Sequence, residues 1–164
     1  MKHKSNTGQS MQAKHPDYFE GCLQLRNPNP DLIAYVQRQL RENPDVHIAK
    51  EIPQPDGVDL WMSSNKFLLK LGKGLAEAYN GDLKVTNRLH TKNRLTSRDV
   101  YRMTVYFKRA SFKRGDEVDL RGTRMRVLGG GKRIRLQEVQ SGKKHELTFA
   151  EVQEAFEKQQ KGGL

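Results

Sequence analysis

Leu83-Lys-Val-Thr-Asn-Arg-Leu-His-Thr91 and Ser97-Arg-Asp-Val-Tyr-Arg-Met-Thr-Val-Tyr-Phe-Lys108 decide how this chain is read. Side chains alternate between the two faces of a strand, so each stretch divides into two rows. In the first, Leu83, Val85 and Leu89 oppose Lys84, Thr86, Arg88 and His90, the second row continuing to Lys92. In the second, Tyr101, Met103, Val105 and Phe107, with Asp99 at their start, oppose Arg98, Val100, Arg102, Thr104, Tyr106 and Lys108. Joined as a hairpin, the two strands predict a sheet with one apolar face and one basic face.

Upstream, Tyr18 to Leu25 alternates and reads as a strand with Phe19, Leu23 and Leu25 on one face. Asn27-Pro-Asn-Pro30 ends it, and Asn29 with Pro30 starts a helix as N-cap and first helical residue. Leu32, Ile33, Val36 and Leu40 supply its apolar stripe, and Asn43-Pro44 ends it. Val46 to Ile52 and Val58 to Met62 read as short strands across a Pro53–Gly57 turn. A second helix is expected from Asn65 to Tyr79, with Phe67, Leu68, Leu71, Leu75 and Ala78 inward and Asn80-Gly81 as its stop. The order β-α-β-β-α-β with one extra strand predicts an α+β, ferredoxin-like split βαβ sandwich over residues 17–110, its helices on one face and the other face open.

Downstream, residues 111–164 read as a second unit. Val118 to Arg121, Arg124 to Leu128, Arg133 to Val139 and His145 to Phe149 are short strands punctuated by Gly122, Gly129-Gly-Gly131 and Ser141-Gly142. Short strands with glycine turns predict a small SH3-like β-barrel, and Thr148 can cap a C-terminal helix from Phe149 to Gln159. Residues 1–16, rich in Lys, Gln and Ser and without hydrophobic periodicity, read as a disordered leader.

The charge has a location. The 164 residues carry 30 Lys+Arg and 19 Asp+Glu, a formal net charge of +11. Lys84 to Arg135 holds 16 of the bases and only 4 of the acids, so this one segment accounts for the whole excess. A field so localised points to a polyanion, most commonly nucleic acid. Neither expected helix is strongly basic, whereas basic sheets and barrels suit single-stranded or folded RNA. The glycine–aromatic consensus of an RRM is missing from Ser97 to Lys108, and Trp61 reads as a packing residue. The expected RNA contacts are Lys84, Arg88, Arg98, Arg102 and Lys108 on the first sheet, with Arg124, Arg126, Lys132, Arg133 and Arg135 on the barrel. Joined across Gly129-Gly-Gly131, the last four arginines are expected to lie together, a crowding that phosphate binding would relieve.

Other chemistries fare worse. His3, His15, His47, His90 and His145 are scattered, and the single Cys22 finds no ligand-spaced partner, so neither a metal nor a cofactor is expected. Gly72-Lys-Gly74 and Gly129-Gly-Gly-Lys132 do not complete a P-loop. Asp56 with Asp59, and Asp116 with Glu117 and Asp119, would suit Mg²⁺ in a metal-dependent RNA-processing enzyme, but both groups sit where turns and strand starts ordinarily place acids. A protein–protein interaction module is the other alternative. No run approaches the ~18 apolar residues of a membrane span, and no secretory leader is evident, so a cytoplasmic location without membrane contact is expected.

Several segments together resemble one family. Tyr18-Phe-Glu-Gly-Cys-Leu-Gln-Leu-Arg26, Gly57-Val-Asp-Leu-Trp-Met-Ser-Ser64, Gly81-Asp-Leu-Lys-Val-Thr86, Arg98-Asp-Val-Tyr-Arg-Met-Thr-Val105, Phe112-Lys-Arg-Gly-Asp-Glu-Val118 and Ser141-Gly-Lys143 occur in the order and spacing of the nonsense-mediated mRNA decay protein 3 family, archaeal form. The resemblance implies an α/β domain before an SH3-like domain similar to that of translation factor five A. It also implies docking on the large ribosomal subunit as a non-enzymatic assembly or quality-control adaptor. The zinc-binding Cys-x-x-Cys region with which family members begin is missing here. The implied partners are therefore ribosomal RNA and the large subunit, with ribosomal proteins or a separate zinc-containing chain beside them.

Overall fold

Asn29 and Ser64 start the first two helices for the same reason: each side-chain oxygen accepts a helix-opening backbone N–H, from Leu32 and Phe67 respectively. The computed structural model describes residues 15–162, and of the expected leader only His15 and Pro16 fall among them. The chain forms β1 (Gly21–Arg26), α1 (Pro30–Glu42), β2 (Ile48–Gln54), β3 (Gly57–Met62), α2 (Asn65–Ala78), β4 (Gly81–Lys92) and β5 (Asp99–Arg109). These are followed by β6 (Glu117–Leu120), β7 (Thr123–Gly130), β8 (Arg133–Glu138), β9 (Lys144–Thr148) and α3 (Phe149–Lys161). It is a mixed α+β structure with three helices and two sheets among the described residues.

The first sheet runs β2-β3-β1-β5-β4. The extra strand is β5, inserted between β1 and β4; it is parallel to β1 and antiparallel to β4. Leu23, Leu25, Leu60, Met62, Val105 and Phe107 bury one face against Leu32 and Val36 of α1 and Phe67, Leu68, Leu71 and Leu75 of α2. Gly72 lets α2 lie close, since a Cβ there would stand 2.7 Å from Val105 Cγ1.

Four local expectations are corrected. Pro53 belongs to β2 rather than to the turn, which an edge strand tolerates because no ladder bond on its outer side is lost. Ala78 is exposed at the end of α2, beyond the sheet it was expected to cover. Phe19 precedes β1 and turns to the opposite face from Leu23 and Leu25, where it meets Trp61 edge-on at 4.9 Å. Val85 and Leu89 do not enter the core: they are 39% and 61% exposed. Val85, opposite Val105, lies on β4, an edge strand with a neighbour on one side only. For Leu89 it is a matter of reach: β1 begins opposite Met103, and the β4–β5 hairpin beyond it continues as a two-stranded ribbon.

The second sheet is a meander, β6-β7-β8-β9. β6 and β9 remain its edges, so the expected barrel does not close; α3 lies across the inner face instead. Phe149, Val152 and Phe156 of α3 pack with Val118, Met125, Val127, Ile134 and Leu136 in a second core. Thr148 and Glu151 form the capping box that starts α3.

A polar joint links the units. Asn27, in the left-handed region at φ 53°, donates from Nδ2 to Arg109 O at 3.0 Å and to Ser111 Oγ at 2.9 Å. Gln153 of α3, buried, accepts from Ser111 N at 2.9 Å and donates to Ser111 Oγ at 2.8 Å. Gln153→Ala strands the Ser111 N–H, and a buried donor without a partner costs about 1–3 kcal/mol. A fall of that size in unfolding free energy is expected from urea denaturation; an unchanged midpoint would show that water replaces the amide at no cost.

Candidate nucleic-acid interface

Most cations of the β4–β5 ribbon have no ion-pair partner among the described residues. Leu83 to Arg98 contains Lys84, Arg88, Lys92, Arg94 and Arg98 and no acid. Among the described residues no carboxylate lies within ion-pair distance of Arg88, Lys92, Arg94 or Arg98, whereas Lys84 Nζ stands 3.3 Å from Asp82. Arg98 lies just before β5, and its carbonyl accepts from Asn93 N at 2.7 Å to close the tip. The Asn93 side chain holds the turn by accepting from Leu95 N and Thr96 N, and it leaves Leu95 97% exposed.

Register sets which cations meet. Arg88 stands directly opposite Arg102, a like-charge pair in a position where cross-strand partners normally attract. Arg102 lays its guanidinium over the Phe19 ring at 4.3 Å and donates to the Phe19 carbonyl. His90 is the extra residue of a bulge between Leu89, opposite Tyr101, and Thr91, opposite Val100. The bulge shifts parity, so Lys92 pairs with Asp99 and leaves the row of Lys84, Thr86 and Arg88 where the alternation had placed it.

Beside this row runs a groove of about 440 Å³, walled by Phe19, Trp61, Thr86, Arg88, His90, Arg102 and Thr104. Two donors at its wall, Trp61 Nε1 and Arg102 Nε, are buried without an acceptor among the described residues. Cys22, next to Trp61 and Thr104 in register, is 3% exposed. Burial pushes its thiol up to about 12, so it is protonated and unreactive at neutral pH.

The remaining expected contacts are placed differently. Lys108 points to Glu157 of α3 at 3.8 Å. Arg124, Arg126, Arg133 and Arg135 share the outer face of the second sheet, as the alternation predicts, but they are not set against one another. A bulge at Val127/Gly129 puts Arg126 opposite Gln137 and Arg135 opposite Gly129, and on its other side Arg135 pairs with Glu146 of β9. Carboxylates take up three of them: Arg124 lies 3.5 Å from Glu117 and 3.8 Å from Asp119, Arg126 3.0 Å from Glu117, and Arg133 3.6 Å from Glu146. Arg135 has no such pair among the described residues, and Lys132 is exposed in the turn before β8.

The acids weighed for Mg²⁺ are engaged as well. Arg26 bridges Asp56 at 3.6 Å and Asp59 at 2.8 Å, and Asp116 accepts from Lys113 N at 2.9 Å. Among the described residues no group of three or more His, Cys, Asp or Glu is placed to hold a metal ion, and no helix is long and apolar enough to cross a membrane. Sequence reasoning put Lys92 in the basic row but not among the expected contacts, and it left out Arg94, although the acid-free run was there to be counted. It could not find the Phe19–Trp61–Arg102 wall, which depends on where three separate segments meet. Comparison with known proteins finds no family model that matches the chain and no curated protein similar to it.

Proposed function

We propose that this chain is a non-enzymatic RNA-binding protein that docks on ribosomal RNA of the large subunit as an assembly or quality-control adaptor. The observation that carries the RNA reading is the ribbon: Arg88, Arg94 and Arg98 lie exposed on it with no carboxylate partner among the described residues, and Arg88 faces Arg102 across the strands. Such a surface is stabilised by a polyanion lying across it, because phosphates remove the repulsion and release counterions. The groove at the ribbon's base adds what a single strand needs: aromatic edges and unpaired donors. The ribosomal part rests on the resemblance to the nonsense-mediated mRNA decay protein 3 family. Two split β-α-β crossovers, β1-α1-β2 around β3 and β3-α2-β4 around β1 and β5, support a ferredoxin-like reading of the first unit. The short meander supports an SH3-like reading of the second.

Cosedimentation with separated ribosomal subunits tests the proposal. Pelleting with large subunits is expected to weaken with salt, with a log–log slope of about −0.7 per neutralised single-strand phosphate. Binding to either subunit that high salt leaves intact would favour a protein contact, for which exposed Leu89, Leu95 and Tyr101 on the ribbon are the natural surface. Trp61 is the single tryptophan, so its fluorescence reports on the groove alone. A single-stranded RNA oligonucleotide is expected to quench it in step with anisotropy-measured binding. Full binding with unchanged emission would exclude the groove from the interface.

A further inference from the structure

A cavity of about 230 Å³ opens at the joint between the two units. Its lining includes three cations, Lys113, Arg114 and Arg135, and no carboxylate. Phe112, Leu128 and Ile134 make its floor apolar, and Gly129-Gly-Gly131 forms one wall. Building on the RNA reading, we infer that this cavity takes one unstacked nucleotide of the bound strand. The phosphate lies among the three cations and the base rests on the apolar floor.

The volume decides the size of the ligand. Pockets for drug-sized molecules run about 300–1,000 Å³, so this one suits a single nucleotide unit rather than a length of strand. The charge decides its class. On the outer face of the same sheet Arg124, Arg126 and Arg133 are held by carboxylates, while Arg135 lines the cavity with no ion pair. Glu146, across the strand from Arg135, closes on Arg133 instead. Arginine with an apolar floor suits a phosphate ester carrying an aromatic group better than a free inorganic ion.

The backbone that carries Lys113 and Arg114 is also fixed before any ligand arrives. Gly115, at φ 94°, donates to Val127 O at 2.8 Å, and Asp116 N donates to Lys113 O at 3.1 Å. The Asp116 carboxylate accepts from Lys113 N, so this turn is pinned to β7 with Lys113 and Arg114 on its rim. Gly130 is required in the opposite wall: at φ 140° it would place a Cβ 2.1 Å from Arg133 O. Gly129, at φ 135°, holds a backbone conformation that L side chains rarely adopt, and the Arg135 guanidinium lies beside it.

The test uses the full chain and the triple variant Lys113→Ala, Arg114→Ala, Arg135→Ala, whose altered side chains are all exposed. Affinity for a single-stranded RNA oligonucleotide is expected to fall roughly tenfold, with a salt slope shallower by about 0.7 to 1, and with the unfolding midpoint retained. In NMR titrations of wild type, AMP should move the amides of Gly129, Gly130 and Gly131 at lower concentration than adenosine or inorganic phosphate does. Wild-type RNA binding that the triple variant matches, with unmoved glycine amides, would overturn this inference and leave the RNA reading standing. Equal response to inorganic phosphate would make it an anion site with no role for a base, and saturation by AMP far below the oligonucleotide would make the ligand a free nucleotide; either result overturns the strand-unit assignment. A wild-type protein that binds no RNA at low salt would remove both readings together.

Discussion

Reversing Arg88, Arg94 and Arg98 to Glu is expected to weaken RNA binding on the order of a thousandfold while leaving the fold intact. At a salt concentration near 0.15 M, a slope of about −0.7 per phosphate makes each contact worth roughly fourfold. Reversal removes three contacts and sets three negative charges against the strand, which roughly doubles the exponent. The cost to the fold is small, because none of the three has a carboxylate partner among the described residues. Exposed changes of this kind usually stay within about 0.5 kcal/mol. Removing Arg88 also removes the repulsion with Arg102 opposite it. The same reversal at Arg124, Arg126 and Arg133 is a poor test. It would set new carboxylates against Glu117 and Glu146, and lost binding would then report an opened sheet. Large-subunit pelleting and anisotropy at matched salt check the ribbon variant. Wild-type affinity in that variant would show that the strand lies elsewhere.

Much of the first unit was legible because its signals are local. Asn29-Pro30 and Ser64 mark helix starts whatever surrounds them, and Leu32, Val36, Leu68 and Leu75 repeat at helical spacing. Non-local facts were less legible. Alternation says that Val85 and Leu89 share a face, but it does not say that β4 is an edge strand or that β1 begins only opposite Met103, short of Leu89. Alternation likewise put Arg124, Arg126, Arg133 and Arg135 on one side correctly, but it says nothing about register. A one-residue bulge at Val127/Gly129 set Gln137 opposite Arg126, and the β8–β9 pairing set Glu146 opposite Arg135. Pro53 was misplaced because proline breaks most strands, and only the strand order reveals that β2 is an edge. The barrel was expected from glycine-punctuated strands, a pattern that an open meander covered by Phe149, Val152 and Phe156 satisfies equally well. The inter-unit cavity lay beyond sequence reading altogether, since Lys113, Arg135 and Asn80 come from three segments that only tertiary structure joins.

Phe107→Ala is expected to destabilise the first unit by about 3–5 kcal/mol, the range for emptying a buried aromatic position. Phe107 of β5 is fully buried and stands between Leu25 of β1 and Leu83 of β4. Gly81 packs tightly here: a Cβ there would lie 2.5 Å from both the Lys108 carbonyl oxygen and Phe107 Cζ. No neighbouring side chain is therefore poised to fill the space, and the collapse that softens many truncations is limited. Domains are stable by only about 5–15 kcal/mol, so this loss is a large fraction of the total. Its reach through the molecule is the informative part. Phe112, Val127, Leu136, Phe149 and Phe156 form a separate core, joined to the first mainly by polar contacts of Asn27, Ser111 and Gln153. Such a joint transmits little of a core defect, so the calorimetric trace of Phe107→Ala should divide. The first unit's transition should fall by about 4–8 °C for each kcal/mol lost, while the second stays near its wild-type temperature. A single transition moving as a whole would mean that the two cores unfold as one cooperative body, with the Asn27–Ser111–Gln153 joint coupling them far more strongly than its few hydrogen bonds account for.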